Sequence, residues 1–184
     1  MIVVGIDPSL AATGVAVIDL DDVLAPEVTT IRTSPGADSL TARRRRLMHI
    51  LTEATRAAIY SHDTRVVIES PSLGQGRQGG TLDRHGLYWL LVDHLLAHDV
   101  PVVAVPPAVR AKYATGKGNA TKGAVIDATA RRFPHVDTRG DDNACDALWL
   151  AAIGAHLTGT PVVDLPVTHR DALTRVTPPK EWKP

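Results

Sequence analysis

The sequence predicts an α/β domain built on a mixed sheet, and three observations carry that reading. Two β-branched apolar runs, "MIVVGID" and "VAVIDL", stand so close together that an antiparallel hairpin is the simplest way to join them. Further short apolar runs then alternate with segments whose apolar residues recur at three- and four-residue steps, the period of an amphipathic helix. The length of 184 residues suits one domain, which at this size buries roughly 70% of the surface its unfolded chain exposes.

Between the first two strands, "PSLAATG" supplies the Pro, Ser, Thr and Gly of a turn. A third strand is expected over Glu27 to Thr33 ("EVTTIRT"), followed by the loop "SPGADS". From Ser39 the period changes: Leu40, Leu47, Ile50 or Leu51, Ala54 and Ala58 line one side of a helix capped at Asp38 or Ser39. "RVVIE" (Arg65 to Glu69) is a fourth strand and "SPSLGQGRQGG" a Gly-rich loop. A second helix follows from about Thr81 to His98, then a fifth strand in "VPVVAV". Beyond Pro106 and Pro107 come a short helix, the loop "TGKGNAT" and a helix over about Thr121 to Phe133. "RGDDNACDALWLAAIGAHLTG" is an alanine-rich helix with Asp at its start and Gly just past its end. Residues 1–159 form the expected domain, and the proline-rich stretch 160–184, with one short helical segment at His169 to Val176, is an expected C-terminal appendage.

Lys plus Arg and Asp plus Glu are equal at 20 each, so total charge names no partner. Cys145 is the only cysteine, which excludes an intrachain disulfide and fits a reducing compartment. With no basic-then-apolar leader and no run near the ~20 residues of a membrane span, a cytoplasmic location is expected.

The chemistry lies in the acids. Asp7 ends the first strand and Glu69 the fourth, while Asp141, Asp142 and Asp146 lie in the first turns of the last helix. Ligands of open α/β sheets gather outside the carboxyl ends of strands. On a helix, Asp142 and Asp146 are four apart and Asn143 and Asp146 three apart, so either pair projects oxygens from one face. Converging carboxylates repel: two unit charges ~4 Å apart cost about 4 kcal/mol at an effective dielectric near 20. An oxygen-only set without clustered Cys or His selects a hard cation, Mg²⁺ or Mn²⁺, and such ions support phosphodiester hydrolysis. Taken singly, each acid has a plain structural use: Asp7 as a turn former before Pro8, Glu69 as a strand-end charge, Asp141 and Asp142 as helix-start residues. Asp146 stands apart, a charge inside the otherwise apolar "NACDALWLAA".

These residues resemble the RuvC-type Holliday-junction resolvases of the RNase H-like superfamily. "GIDPSLAATGVAVID", "VVIESP", "RAKYATGKGNATKGAVIDATARRF" and "DDNACDALWLAA" follow that family's motifs in order and spacing, from Met1 to about Gly159. The resemblance implies a five-stranded sheet of order 3-2-1-4-5 with strand 2 antiparallel, a homodimer, two divalent ions, and paired nicks across a four-way DNA junction that leave 5′-phosphates. Asp7, Glu69 and Asp146 fall on the metal-binding acids. The fourth acid departs from the pattern: three residues before the last Asp stands Asn143, a neutral and weaker metal ligand, and Asp142, one turn below the last Asp, is the alternative, so both stay candidates for the fourth ligand. Where many relatives carry an aromatic soon after the second acid, this chain has "SPSLGQG", with Leu73 as a candidate wedge.

Candidate DNA contacts follow the local charge. Residues 110–132 hold Arg110, Lys112, Lys117, Lys122, Arg131 and Arg132 against one acid, Asp127, a local balance of +5. Arg77 and Arg84 flank the Gly-rich loop, and Ser9 or Thr13 of the first turn could touch DNA beside the metal. "RRRR" at Arg43 to Arg46 spans a whole helical turn and reads mainly as a solvated face. His94 and His98 read as surface histidines, Trp149 as a core anchor and Cys145 as a packing residue. Other readings stay open: a related nuclease acting on flaps, forks or RNA–DNA hybrids, a junction-binding descendant without catalysis, and a phosphotransferase, whose phosphate loop also reads "GIDxSxxxTG" but needs two such halves around a nucleotide.

Overall fold

The computed structural model describes residues 1–61, 63–72 and 80–182. Five strands form one sheet: β1 (Ile2–Asp7), β2 (Ala12–Asp19), β3 (Asp22–Arg32), β4 (Thr64–Glu69) and β5 (Val102–Val105), in the spatial order β3-β2-β1-β4-β5. β1 pairs antiparallel with β2 and β2 with β3, whereas β4 runs parallel to β1 and β5 parallel to β4. The order 3-2-1-4-5 with an antiparallel second strand is thus the observed topology.

Two strands are longer than their sequence signal. β2 starts at Ala12 because Ser9 and Thr13 close the preceding turn: Thr13 Oγ1 donates to the Ser9 carbonyl at 2.6 Å and accepts from the Ser9 amide at 3.1 Å. β3 starts at Asp22, through a register shift between Val17 and Asp19. Pro26 hides this extension in the sequence, yet β3 is an edge strand, where a missing amide donor is tolerated.

Helices cover both faces. α1 (Leu40–Tyr60), capped by the Ser39 hydroxyl on the Ala42 amide, and α2 (Thr81–Leu96) pack on one side. There Ile50, Leu51, Ala54, Leu87, Leu91 and Leu95 meet Val4, Ile6, Val66 and Ile68 of the sheet. Of the "RRRR" run, Arg44 and Arg45 face solvent, while Arg43 pairs with Asp83 of α2 and Arg46 donates to the Leu10 carbonyl at 2.6 Å. α3 (Pro107–Thr115), α4 (Lys122–Arg132, capped by Thr121) and α5 (Asp142–Leu157, capped by Asp141) cover the other face. Trp149 is fully buried and donates through Nε1 to Thr129 at 2.8 Å, and Cys145 is buried as well.

The proline-rich stretch expected as an appendage packs onto this second face. It holds α6 (Val167–Arg170) and two short 3-10 turns, Asp171–Arg175 and Lys180–Trp182. Leu165, Ala172, Val176 and Trp182 are buried in the same core cluster as α5, and the His169 ring meets the Tyr113 carbonyl at 2.9 Å. No helix among the described residues is long and apolar enough to cross a membrane.

Candidate active site

The close seat of α5 on the sheet builds the site. A Cβ added to Gly5 would stand 2.1 Å from the Ala147 carbonyl oxygen, and one added to Gly14 would stand 2.0 Å from that of Asn143. Only residues without a side chain let the helix backbone approach so near. Gly14 is the register partner of Asp7 across β1 and β2. Asp146, one turn beyond Asn143, therefore arrives above the end of β1. Glu69 comes to the same place because β4 lies directly beside β1, in parallel.

These three acids line one cleft of about 400 Å³ together with Arg110, Lys122, Arg84 and Tyr88. Burial drives Asp7 well above the ordinary carboxylate range, and the charges of Glu69, Asp146 and Asp142 push it further. Burial raises Glu69, against the opposing pull of Arg110. Asp146 is pushed up to about 7, chiefly by burial, with Arg110 lowering and Glu69 and Asp142 raising it. The carboxylates converge in the fold itself: all three line the one cleft, and one guanidinium reaches two of them.

A cation already stands among them. Arg110, on the first turn of α3, donates through Nε to Glu69 and through Nη1 to Asp146. Burial disfavours its charge, but the acids around it outweigh that effect and raise its pKa. Its place follows from the sheet: β5 neighbours β4, the Ser70 amide donates to the Val105 carbonyl, and α3 starts two residues later at Pro107. Arg110 was expected as a surface contact for DNA; it is instead buried, at 8% exposure, with its charge on the two acids. Among the described residues no three acidic, His or Cys side chains form a ready metal cage, consistent with a guanidinium lying between two of them. The donor set still fits a hard divalent ion: its side-chain donors are all oxygen and its pKa shifts betray a shortage of positive charge.

The two candidates for the fourth acid share one placement and differ in their partners: both line a separate groove between β3 and the start of α5, not the cleft of the other acids. Asn143 turns its amide to Asp141 at 3.0 Å and to Asp142 at 3.2 Å. Asp142 pairs with Lys122 yet acts electrostatically on both Asp7 and Asp146. Thr13 is fully buried and its hydroxyl is engaged in the turn, so the expected contact with DNA there fails for lack of exposure. The Ser9 hydroxyl accepts from the Ala11 and Ala12 amides at 3.4 Å. Arg84 faces the cleft, with a bond to Thr81 at 3.2 Å. Lys112 is half-buried on α3, and Lys117 is exposed beside a second groove that includes Arg131, Arg132 and His169. Leu73 and Arg77 lie outside the described residues. His94 and His98 stack edge to face at 4.6 Å, and neither lines the cleft of the acids. Sequence reasoning missed Tyr88, an aromatic that α2 brings into the cleft; its position near the middle of a helix after the Gly-rich loop was the available signal.

No protein-family model matches the chain. A crossover junction endodeoxyribonuclease RuvC of Zymomonas mobilis is 31% identical over 158 residues, which covers 85% of this chain and 91% of that protein. The structure of Thermus thermophilus RuvC superposes with a TM-score of 0.64 at 21% identity, covering 87% of this chain and 98% of that one. T. thermophilus RuvC in complex with a Holliday junction substrate gives the same TM-score of 0.64 at 18% identity, over 97% of this chain and 99% of that one. The structural likenesses establish the fold, an RNase H-like one, and the extent and level of the sequence match establish the kinship: the chain belongs to the RuvC family of crossover junction endodeoxyribonucleases.

Proposed function

We propose that the protein resolves four-way DNA junctions by paired, metal-dependent hydrolysis of phosphodiester bonds. One observation carries the reading: in a chain of the RuvC family, Asp7, Glu69 and Asp146 reach a single cleft from β1, β4 and α5. A bound Mg²⁺ or Mn²⁺ pair would activate water and offset charge on the leaving oxygen. Asp7, Glu69 and Asp146 are the ligands this reading assigns, with Asp142 favoured over Asn143 as the fourth because its charge acts on Asp7 and Asp146. Lys122, 81% exposed, and Arg84 line the same cleft and are the phosphate contacts this reading assigns. Leu73 and Arg77 remain candidates for the junction side of the cleft. Lys112 and Lys117 extend the basic surface along α3 and the loop after it. Such an enzyme works where the DNA is, in the cytoplasm.

Paired nicks need two sites, and a homodimer supplies them. α2 leaves Leu82 at 77%, Trp89 at 65% and Leu96 at 55% exposure, seven residues apart along one stripe, which supports self-association through this helix.

The test is cleavage of a synthetic four-way junction beside a linear duplex of the same sequence, with Mg²⁺ or Mn²⁺. Symmetric nicks on the junction with little cutting of the duplex are expected. Equal cutting of both would overturn the junction assignment, and preference for a flap, fork or RNA–DNA hybrid would move the enzyme to the related nuclease class.

A further inference from the structure

We propose that Arg110 is a built-in counter-cation of the acid cluster, holding Glu69 and Asp146 in the metal-free protein and giving them up when a divalent ion loads. The proposal rests on the metal reading given above. Three half-buried acids from three different elements cannot all remain ionised side by side without positive charge among them. Arg110 supplies it from within the chain: its side chain is 9% exposed, and those of Glu69 and Asp146 are 14% and 16% exposed. The rigid fork of a guanidinium spans two carboxylates at once, one N–H on each. Here it links the end of β4 to the second turn of α5.

Arg110 and a divalent ion draw on the same two carboxylates. Arg110 occupies one oxygen of each, and a hard ion that takes ligand oxygens at about 2.0–2.1 Å from the same acids stands close to the guanidinium, where the two positive charges repel. Arg110 therefore competes with the ion through its charge, and loading weakens its two charge-assisted hydrogen bonds. Lys122 does not relieve this competition, because it is committed to Asp142 and lies at the solvent. The cleft lies open next to the guanidinium, so the freed side chain has about 400 Å³ of space to turn into while staying beside the acids.

The experiment is a Mn²⁺ titration of the full chain without DNA, read by the electron paramagnetic resonance of free Mn²⁺, with thermal melts in EDTA and in Mn²⁺. Wild type, Arg110→Met and Arg110→Lys are compared. Arg110→Met should bind Mn²⁺ about tenfold or more tightly than wild type, the loss of the competing hydrogen bonds converted to affinity. Its melting temperature in EDTA should fall below that of wild type and rise further on adding Mn²⁺. Arg110→Lys should lie between, since an ammonium meets one carboxylate at a time. It also keeps the cluster neutralised, so it carries the test if the Met variant does not fold in EDTA. Mn²⁺ binding no tighter than wild type in the folded variants overturns the counter-cation role and leaves the metal reading standing. Failure of wild type and both variants alike to bind Mn²⁺ overturns both.

Discussion

The α-carbon of Gly14 lies directly beneath the backbone carbonyl of Asn143, so close that a Cβ there would come within 2.0 Å of that oxygen. This contact sets the height of α5 above the sheet and, through it, the position of Asp146 above Asp7. Gly14→Ala should force the helix start away from β2. Overpacking of this kind costs about 1–3 kcal/mol, and thermal unfolding should show it. Junction cleavage should fall further than stability alone explains, because the displaced helix carries an acid of the site. Unchanged melting and unchanged activity would show that α5 can shift without consequence.

The acid cluster makes the metal-free protein sensitive to pH. Asp7 and Asp146 are raised in the fold, Asp146 to about 7, so between pH about 4 and 7 the folded state holds more protons than the unfolded chain. The stabilisation is present below the unfolded carboxylate value and is lost as pH rises through the folded one. Melting in EDTA should therefore drop between pH about 4.5 and 7.5, and Asp146→Asn should flatten the fall. Asp83 and Asp141 are shifted down and work in the opposite sense, weakening the protein as pH falls toward their lowered values. A melting temperature that climbs steadily from pH 4.5 to 7.5 would contradict the assignment.

The C-terminal stretch should behave as core. Trp182 is 2% exposed and packs within 3.8 Å of the Cβ position of Gly154 on α5. Trp182→Ala should cost about 3–5 kcal/mol, and a chain ending at residue 159 should be far less stable than the full one. Chemical denaturation of the three proteins checks this. Equal stability of the shortened chain would show that this packing contributes nothing to the core.

Binding to junction DNA should weaken with salt, with each phosphate contact adding about −0.9 to the slope of log K against log salt. Lys117 is exposed and has no acidic partner among the described residues, so Lys117→Ala should reduce the slope by about that amount. Arg131 should matter less, because it already pairs with Asp127. An unchanged slope for Lys117→Ala would remove this loop from the DNA surface.

Much of this was legible in the sequence because period and punctuation are local. The runs ending on Asp7 and Glu69 are strands, Ser39, Thr121 and Asp141 cap helices, and Pro107 opens one, as their residue types require. What escaped depends on contacts distant along the chain. Arg110 looks like any cation of a basic segment until β5 is set beside β4. The need for Gly5 and Gly14 to lack side chains appears only once α5 lies over them. The tail's prolines read as an appendage, and only the fold shows that Leu165, Ala172, Val176 and Trp182 are buried against α5.

Single-turnover cleavage of a four-way junction at saturating Mn²⁺, with binding measured on the same junction in Ca²⁺, shows whether acids from β1, β4 and α5 act together on a scissile phosphate. Asp146→Asn should bind the junction about as tightly as wild type and cleave it more than about a hundredfold more slowly, beyond the usual loss for a residue that merely supports a metal ligand. Cleavage by Asp146→Asn at a rate near that of wild type would contradict the account.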